Sequence, residues 1–160
     1  GVMVVAKNDV AHRSLAAQIK EHSIKREYIA LVHGTIKENL GTIDAPIGRS
    51  KVDRKKMAVI ADGRPAVSNY QVLERYHNYT LVKVELLTGR THQIRVHFAY
   101  IKHPVVGDPL YSSGKKHFNL DSQALHAHLL GFIHPRTGKY LEFTSPLPQY
   151  FQDILVSLRL

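Results

Sequence analysis

Leu87–His97, L-T-G-R-T-H-Q-I-R-V-H, is the stretch from which the rest of the chain is read. It follows an apolar, strand-like run and precedes a helix-like one. Two arginines, Arg90 and Arg95, and two histidines, His92 and His97, lie close together within it. Thr88-Gly89 supplies a tight turn, because glycine accepts backbone angles that other residues avoid. A junction of this kind leaves polar side chains at the end of a strand, where clefts form. Taken alone it is a basic corner.

Upstream of that corner, Met57–Ile60 and Ala66–Tyr76 alternate like strands, and His77-Asn78 makes a turn into Tyr79–Leu87. An antiparallel meander is expected there. Ser23–Gly34 is rich in β-branched and aromatic residues (Ile24, Tyr28, Ile29, Val32), so a strand should end at Gly34. Gly41–Ile47 reads as a further short strand closed by Pro46 and Gly48. Val2–Ala6 is a continuous apolar run, expected as a central strand. Asn8 or Asp9 can cap a helix with Val10, Leu15, Ala16 and Ile19 along one stripe. Downstream, Gln93–Lys102 is helix-like and stopped by Pro104. His103–Tyr111, dense in Pro and Gly, is a fixed loop. Leu125–His134 and Lys139–Thr144 should form a hairpin, and Pro148–Arg159 a terminal helix with Phe151, Ile154, Leu155 and Leu158 on one face. The sum is one α+β domain over residues 1–160, dominated by antiparallel strands.

Composition narrows the partner. The chain has 22 Lys+Arg against 13 Asp+Glu, a formal net charge of +9, and a pI near 9.8. Basic side chains that release phosphate counterions supply most non-specific affinity for nucleic acid, so a polyanion is expected. Arg49–Lys56, R-S-K-V-D-R-K-K, concentrates Arg49, Lys51, Arg54, Lys55 and Lys56 with no apolar face. It is either a solvated charge run or a phosphate-contacting loop, and the overall charge favours the second. No cysteine is present, which excludes a disulfide scaffold and thiolate metal sites. No membrane-spanning apolar run or signal peptide is evident, and a cytoplasmic monomer is expected. Because Gly1 opens directly into a strand-like run, the chain reads as an N-terminally truncated piece of a longer protein.

Metal and hydrolase chemistries fit poorly. His92 and His97 are five apart rather than the four that aligns ligands on a helix, and no carboxylate completes a set with His126 and His128. There is no G-x-S-x-G elbow, Ser112-Ser113-Gly114 being an ordinary loop tip, and no glycine-rich phosphate loop. Tyr28, in K-R-E-Y-I-A-L-V-H-G, is by itself either a packing tyrosine or an aromatic platform for a flipped base. Arg95 by itself is either structural or a phosphate contact.

K-R-E-Y-I-A-L-V-H-G (25–34), L-T-G-R-T-H-Q-I-R-V-H (87–97), H-P-V-V-G-D-P-L-Y (103–111) and L-H-A-H-L-L-G-F-I-H-P-R-T-G (125–138) follow one another in this order. Together they closely resemble the Rlu-type family of RNA pseudouridine synthases, and R-K-K-M-A-V (54–59) fits as well. The resemblance implies isomerisation of uridine to pseudouridine in structured RNA, without cofactor or metal. Large-subunit ribosomal RNA is the first expected substrate and transfer RNA the second. It also implies a mixed, largely antiparallel sheet with peripheral helices and a central RNA-binding cleft, into which the target nucleotide is flipped. Tyr28 matches the family's active-site tyrosine, which packs against the uracil and, by the same resemblance, takes part in proton transfer. Arg95 matches the arginine that ion-pairs with the catalytic aspartate, while Arg90 and His92 line the same turn and Ile94 the pocket floor.

One feature departs from the family. Its nucleophilic aspartate lies in H-R-L-D-x-x-T-S-G, and Gly1 here corresponds to the final glycine of that motif. The aspartate is therefore expected upstream of Gly1. Asp9, Asp44, Asp53, Asp62 and Asp108 stand outside the motif. On this reading the parent protein is an enzyme and the present chain is inactive alone. The alternative is a non-catalytic RNA-binding protein that retains the scaffold.

Overall fold

The computed structural model describes residues 1–112 and 118–160, so the Ser113-Gly114 part of the expected loop tip lies outside the described residues. The elements in chain order are α1 (Asp9–Lys20), β1 (Lys25–His33), β2 (Leu40–Asp44), β3 (Ile47–Arg49), β4 (Met57–Val59), β5 (Val67–Arg75), β6 (Tyr79–Leu86), α2 (Gln93–Tyr100), β7 (Leu125–Ile133), β8 (Tyr140–Thr144) and α3 (Gln149–Leu158). Six strands form one sheet in the order β2-β5-β6-β1-β7-β8, and β3 with β4 forms a separate small hairpin. Every pairing among the described strands is antiparallel. The parallel pairing that a mixed sheet would include does not occur among them.

The run Ile29-Ala30-Leu31-Val32 explains why β1 is central. Successive side chains of a strand point to opposite faces, and here both faces are covered. Ala30 and Val32 pack with Ile94 and Phe98 of α2, together with Val82, Val84 and Val105. Ile29 and Leu31 pack on the other face with Phe151, Ile154 and Leu155 of α3. The even-numbered face of β1 therefore looks toward α2, and Tyr28 packs against that same layer. β1 ends at Gly34, whose backbone takes φ +79° as the chain turns away.

Three expectations need correction. Val2–Ala6 is not a strand of the sheet: it lies extended beside β7, bonded through Val2 N–H to Ala127 C=O, with Met3 and Val5 exposed. Val2, Val4 and Ala6 still pack on Leu15, Leu130 and Phe132, which accounts for the apolar run without a ladder. The stripe on α1 is also narrower than its pattern. Asn8 caps the helix by accepting from Ala11 N–H, but only Leu15 is buried, because α1 meets little beyond the end of β7. The expected Gly41–Ile47 strand divides at Ala45-Pro46, where Pro46 has no N–H to continue a ladder, and Ile47 pairs with Val59 in the hairpin instead.

The α2 end of the molecule is fastened by loop His103–Tyr111. Val105 and Val106 are fully buried, and Val105 bridges to Val32 of β1. His103 donates through Nδ1 to the His33 carbonyl at 2.8 Å. The Pro- and Gly-rich composition thus marks a packed loop laid across the sheet beside α2.

Candidate active-site cleft

The turn between β6 and α2 is held by one glutamine. Gln93, 3% exposed, accepts through Oε1 from the Thr88 hydroxyl and the Arg90 N–H. Its Nε2 donates to the Val67 carbonyl and to Ser68 Oγ. Four hydrogen bonds from one buried amide satisfy it fully and fix the loop that carries Arg90 and His92. Gly89 does not use the left-handed backbone region, and a Cβ there would meet only the Arg26 guanidinium, the movable end of a long side chain.

Arg95, in the first turns of α2, is largely buried beside Asp108, which is 1% exposed. The pair is bidentate, with Nε donating to Oδ2 at 2.7 Å and Nη2 to Oδ1 at 2.8 Å. Oδ1 also accepts from the N–H groups of Leu110 and Tyr111. Burial would push the Asp108 carboxyl up, but these hydrogen bonds outweigh it and hold its pKa below the ordinary value. The Arg95 pKa is raised in turn, chiefly by its bond to Asp108. The Arg95 guanidinium also sits 5.0 Å from the centroid of the Tyr111 ring, a favourable cation–π distance. The Arg95 Nη1 has no partner among the described residues.

Tyr111 extends this arrangement. Its Oη accepts from Met57 N–H at 2.9 Å and lies 2.9 Å from His92 Nδ1. It therefore ties the β3–β4 hairpin and the β6–α2 turn to the same point. His92 is in the left-handed backbone region at φ 58°, which costs a non-glycine residue free energy and occurs preferentially at functional sites.

Tyr28, Arg90, His92, Ile94 and Arg95 line one cleft of about 160 Å³. Ile94 belongs to the buried core beneath it. Arg90 donates through Nε to the Pro65 carbonyl, while burial and then the neighbouring Arg64 charge push its pKa down. That electrostatic setting favours an incoming anion. Tyr28 also borders an adjoining cavity of about 180 Å³, shared with Arg26 and the Val2–Val4 segment. Arg26 Nε is buried there without a hydrogen-bond partner among the described residues, and burial pushes its pKa down. A β-bulge sits at this place: Glu27 pairs with Leu129 but Tyr28 with Ala127, leaving His128 as the extra residue. Bulges re-aim side chains and recur beside active sites. A larger groove of about 490 Å³, between the N-terminal segment and Phe132, is apolar-walled and contains none of these residues.

The five basic residues of the 49–56 run lie at the tip of the β3–β4 hairpin. Arg49 donates to the Arg54 carbonyl, Lys51 pairs with Asp62, and Lys56 approaches Asp53. Arg54 and Lys55 are exposed. Several histidines outside the cleft have structural partners. His97 is bonded to Ser68 Oγ and the Ala45 carbonyl, and both His126 and His128 lie 3.0 Å from the Ser145 carbonyl. Sequence reasoning passed over Gln93 and Tyr111, and considered Asp108 only as a possible nucleophile. Asp108 and Tyr111 are both inside the quoted H-P-V-V-G-D-P-L-Y motif, so the signal was present but its partner Arg95 was not visible.

Comparison with known proteins identifies the class. The family model described as RNA pseudouridylate synthase matches residues 1–100. A Bacillus subtilis protein described as "Uncharacterized RNA pseudouridine synthase YlyB" is 52% identical over 159 residues, covering 99% of this chain and 52% of that protein. "Ribosomal large subunit pseudouridine synthase D" of Pseudomonas aeruginosa is 47% identical over 171 residues, covering 99% of this chain and 53% of its own length. The solved structure of "Human RNA Pseudouridylate Synthase Domain Containing 1" aligns at a TM-score of 0.77 with 29% identity, over 96% of this chain and 73% of that one. This chain thus belongs to the RNA pseudouridylate synthase family, as its Rlu-type motifs implied. It spans about half the length of the curated relatives it matches.

Proposed function

We propose that this chain forms the uridine-binding cleft of an RNA pseudouridine synthase acting on structured RNA, with large-subunit ribosomal RNA the first candidate and transfer RNA the second. The observation that carries the reading is the convergence of Tyr28, Arg90, His92 and Arg95 on one cleft. In the reaction the N-glycosidic bond of uridine is broken, the uracil turns, and a carbon–carbon bond rejoins it to the ribose. The flipped base stacks against Tyr28, an aromatic platform worth about 1–3 kcal/mol per base. Arg95, held by Asp108 through two nitrogens, offers Nη1 to a nucleophilic carboxylate, favouring its charged form and fixing its direction. That carboxylate belongs to a residue preceding Gly1. Gly1 is seated against Ala127, the β7 partner of Tyr28, which supports an approach of the preceding segment from that side. The Arg49–Lys56 hairpin tip, anchored to the cleft through Met57 and Tyr111, contacts phosphates.

A second reading, RNA binding without catalysis, is favoured by one observation. Among the described residues no carboxylate lines the cleft, and Asp108 is committed to Arg95. Both readings are tested in a longer form of the protein that includes the upstream segment. Tyr28→Phe should leave RNA retention within about twofold while lowering product formation by roughly 10²-fold or more, on the scale of a proton-transfer contribution. Product formation by Tyr28→Phe equal to that of the unaltered protein would remove Tyr28 from the reaction.

A further inference from the structure

Tyr111 has one hydroxyl proton. Its oxygen accepts from Met57 N–H, and the acceptor within reach of the proton is His92 Nδ1 at 2.9 Å. With Nδ1 accepting, a neutral His92 ring must carry its own proton on Nε2. Burial, and then the adjacent Arg95 charge, push the His92 pKa down, with Asp108 partly opposing them, so the neutral ring is favoured. Nε2 has no hydrogen-bond partner among the described residues, and the ring lines the same cleft as Tyr28. Tyr111 is itself held between the Arg95 guanidinium and the Met57 N–H. Beside its two guanidinium groups and the Tyr28 hydroxyl, the cleft therefore contains a neutral ring N–H on His92.

We propose that Tyr111 is a positioning residue that locks His92 as the Nε2–H tautomer, and that this N–H selects uracil by donating to its 4-carbonyl. The inference rests on the uridine-binding reading of the cleft. Guanidinium groups suit phosphate or carboxylate, whereas a neutral ring N–H suits a carbonyl oxygen. Of the two carbonyls of uracil, the one at position 4 separates it from cytosine, which presents an amino donor there. A donor facing a donor leaves both groups unpaired, and such mismatches discriminate strongly in a desolvated site.

The test combines a spectroscopic readout with base preference. Long-range proton–nitrogen NMR on this chain reports the His92 tautomer, and competition between oligouridylate and oligocytidylate reports selectivity. The unaltered chain should show the Nε2–H form and prefer oligouridylate by about tenfold. Tyr111→Phe should give a tautomer mixture and a preference reduced to about two- or threefold. His92→Leu should abolish the preference, and His92→Gln, which keeps an N–H donor, should restore part of it. Thermal unfolding of each variant separates these effects from loss of fold. An Nδ1–H ring, no base preference in the unaltered chain, or an unchanged preference in folded His92→Leu would overturn the proposal. The two readings fail separately: pseudouridine formed by the longer protein with cytosine rejection unaffected in both variants removes this inference alone, whereas a His92-dependent base preference without product removes the enzymatic reading alone.

Discussion

Asp108→Ala should destabilise the fold by about 3–5 kcal/mol, the usual cost of removing one partner of a buried ion pair. The size follows from what Asp108 holds. It is 1% exposed, accepts both Arg95 nitrogens, and caps the Leu110 and Tyr111 N–H groups. Its loss leaves a largely buried guanidinium without a counter-ion and frees the loop carrying Tyr111. Urea unfolding measures the cost, and a loss under 1 kcal/mol would mean that the pair contributes little. The pH dependence has a definite sign. The Asp108 pKa is lower in the folded state than in the unfolded chain, so the folded state binds fewer protons. The contribution is fully present above the unfolded carboxylate value near about 4 and is lost as pH falls through the depressed folded value. Asp108→Asn should therefore flatten the acid limb of the stability profile.

The second large effect is on activity. In the longer protein, Arg95→Lys should lower product formation by roughly 10²–10³-fold, the range for removing one preorganised electrostatic donor. Lysine keeps the charge but has no planar fork. It cannot hold Asp108 through two nitrogens while presenting a third to another carboxylate. The loss should fall mainly on kcat, because a group aimed at a carboxylate nucleophile acts on the reacting atoms more than on RNA retention. Single-turnover product formation together with RNA binding separates the two. Unchanged product formation in a folded Arg95→Lys would assign Arg95 a purely structural role.

The degree to which the sequence disclosed this structure varied with the range of the interaction. Local patterns carried the meander β5–β6, the β7–β8 hairpin, α2 and α3, because strand alternation, turn residues and the Phe151-Ile154-Leu155 spacing are encoded within each segment. Val2–Ala6 misled because its apolar run satisfies a packing demand against Leu15 and Phe132 without strand pairing. The cleft was legible as motifs, and Tyr28, Arg90, His92, Ile94 and Arg95 do come together. Their support was not. The Arg95–Asp108 pair and the Tyr111–His92 bond join residues 13 and 19 apart in sequence. Nothing in the spacing announces which arginine meets which carboxylate across a loop. Gln93 was hidden in part for the same reason, since two of its four partners, Val67 and Ser68, lie on β5 at 26 and 25 residues away.

The activity proposed for the cleft between β1 and α2, in a longer form of the protein that supplies the nucleophilic carboxylate, is conversion of uridine to pseudouridine. The most direct test is to incubate that longer protein with unmodified ribosomal RNA transcript, digest the RNA to nucleosides, and quantify pseudouridine by chromatography. The account predicts a pseudouridine peak that grows with time and enzyme. Transcript bound with no such peak, for ribosomal and transfer RNA alike, would contradict it and leave an RNA-binding scaffold in its place.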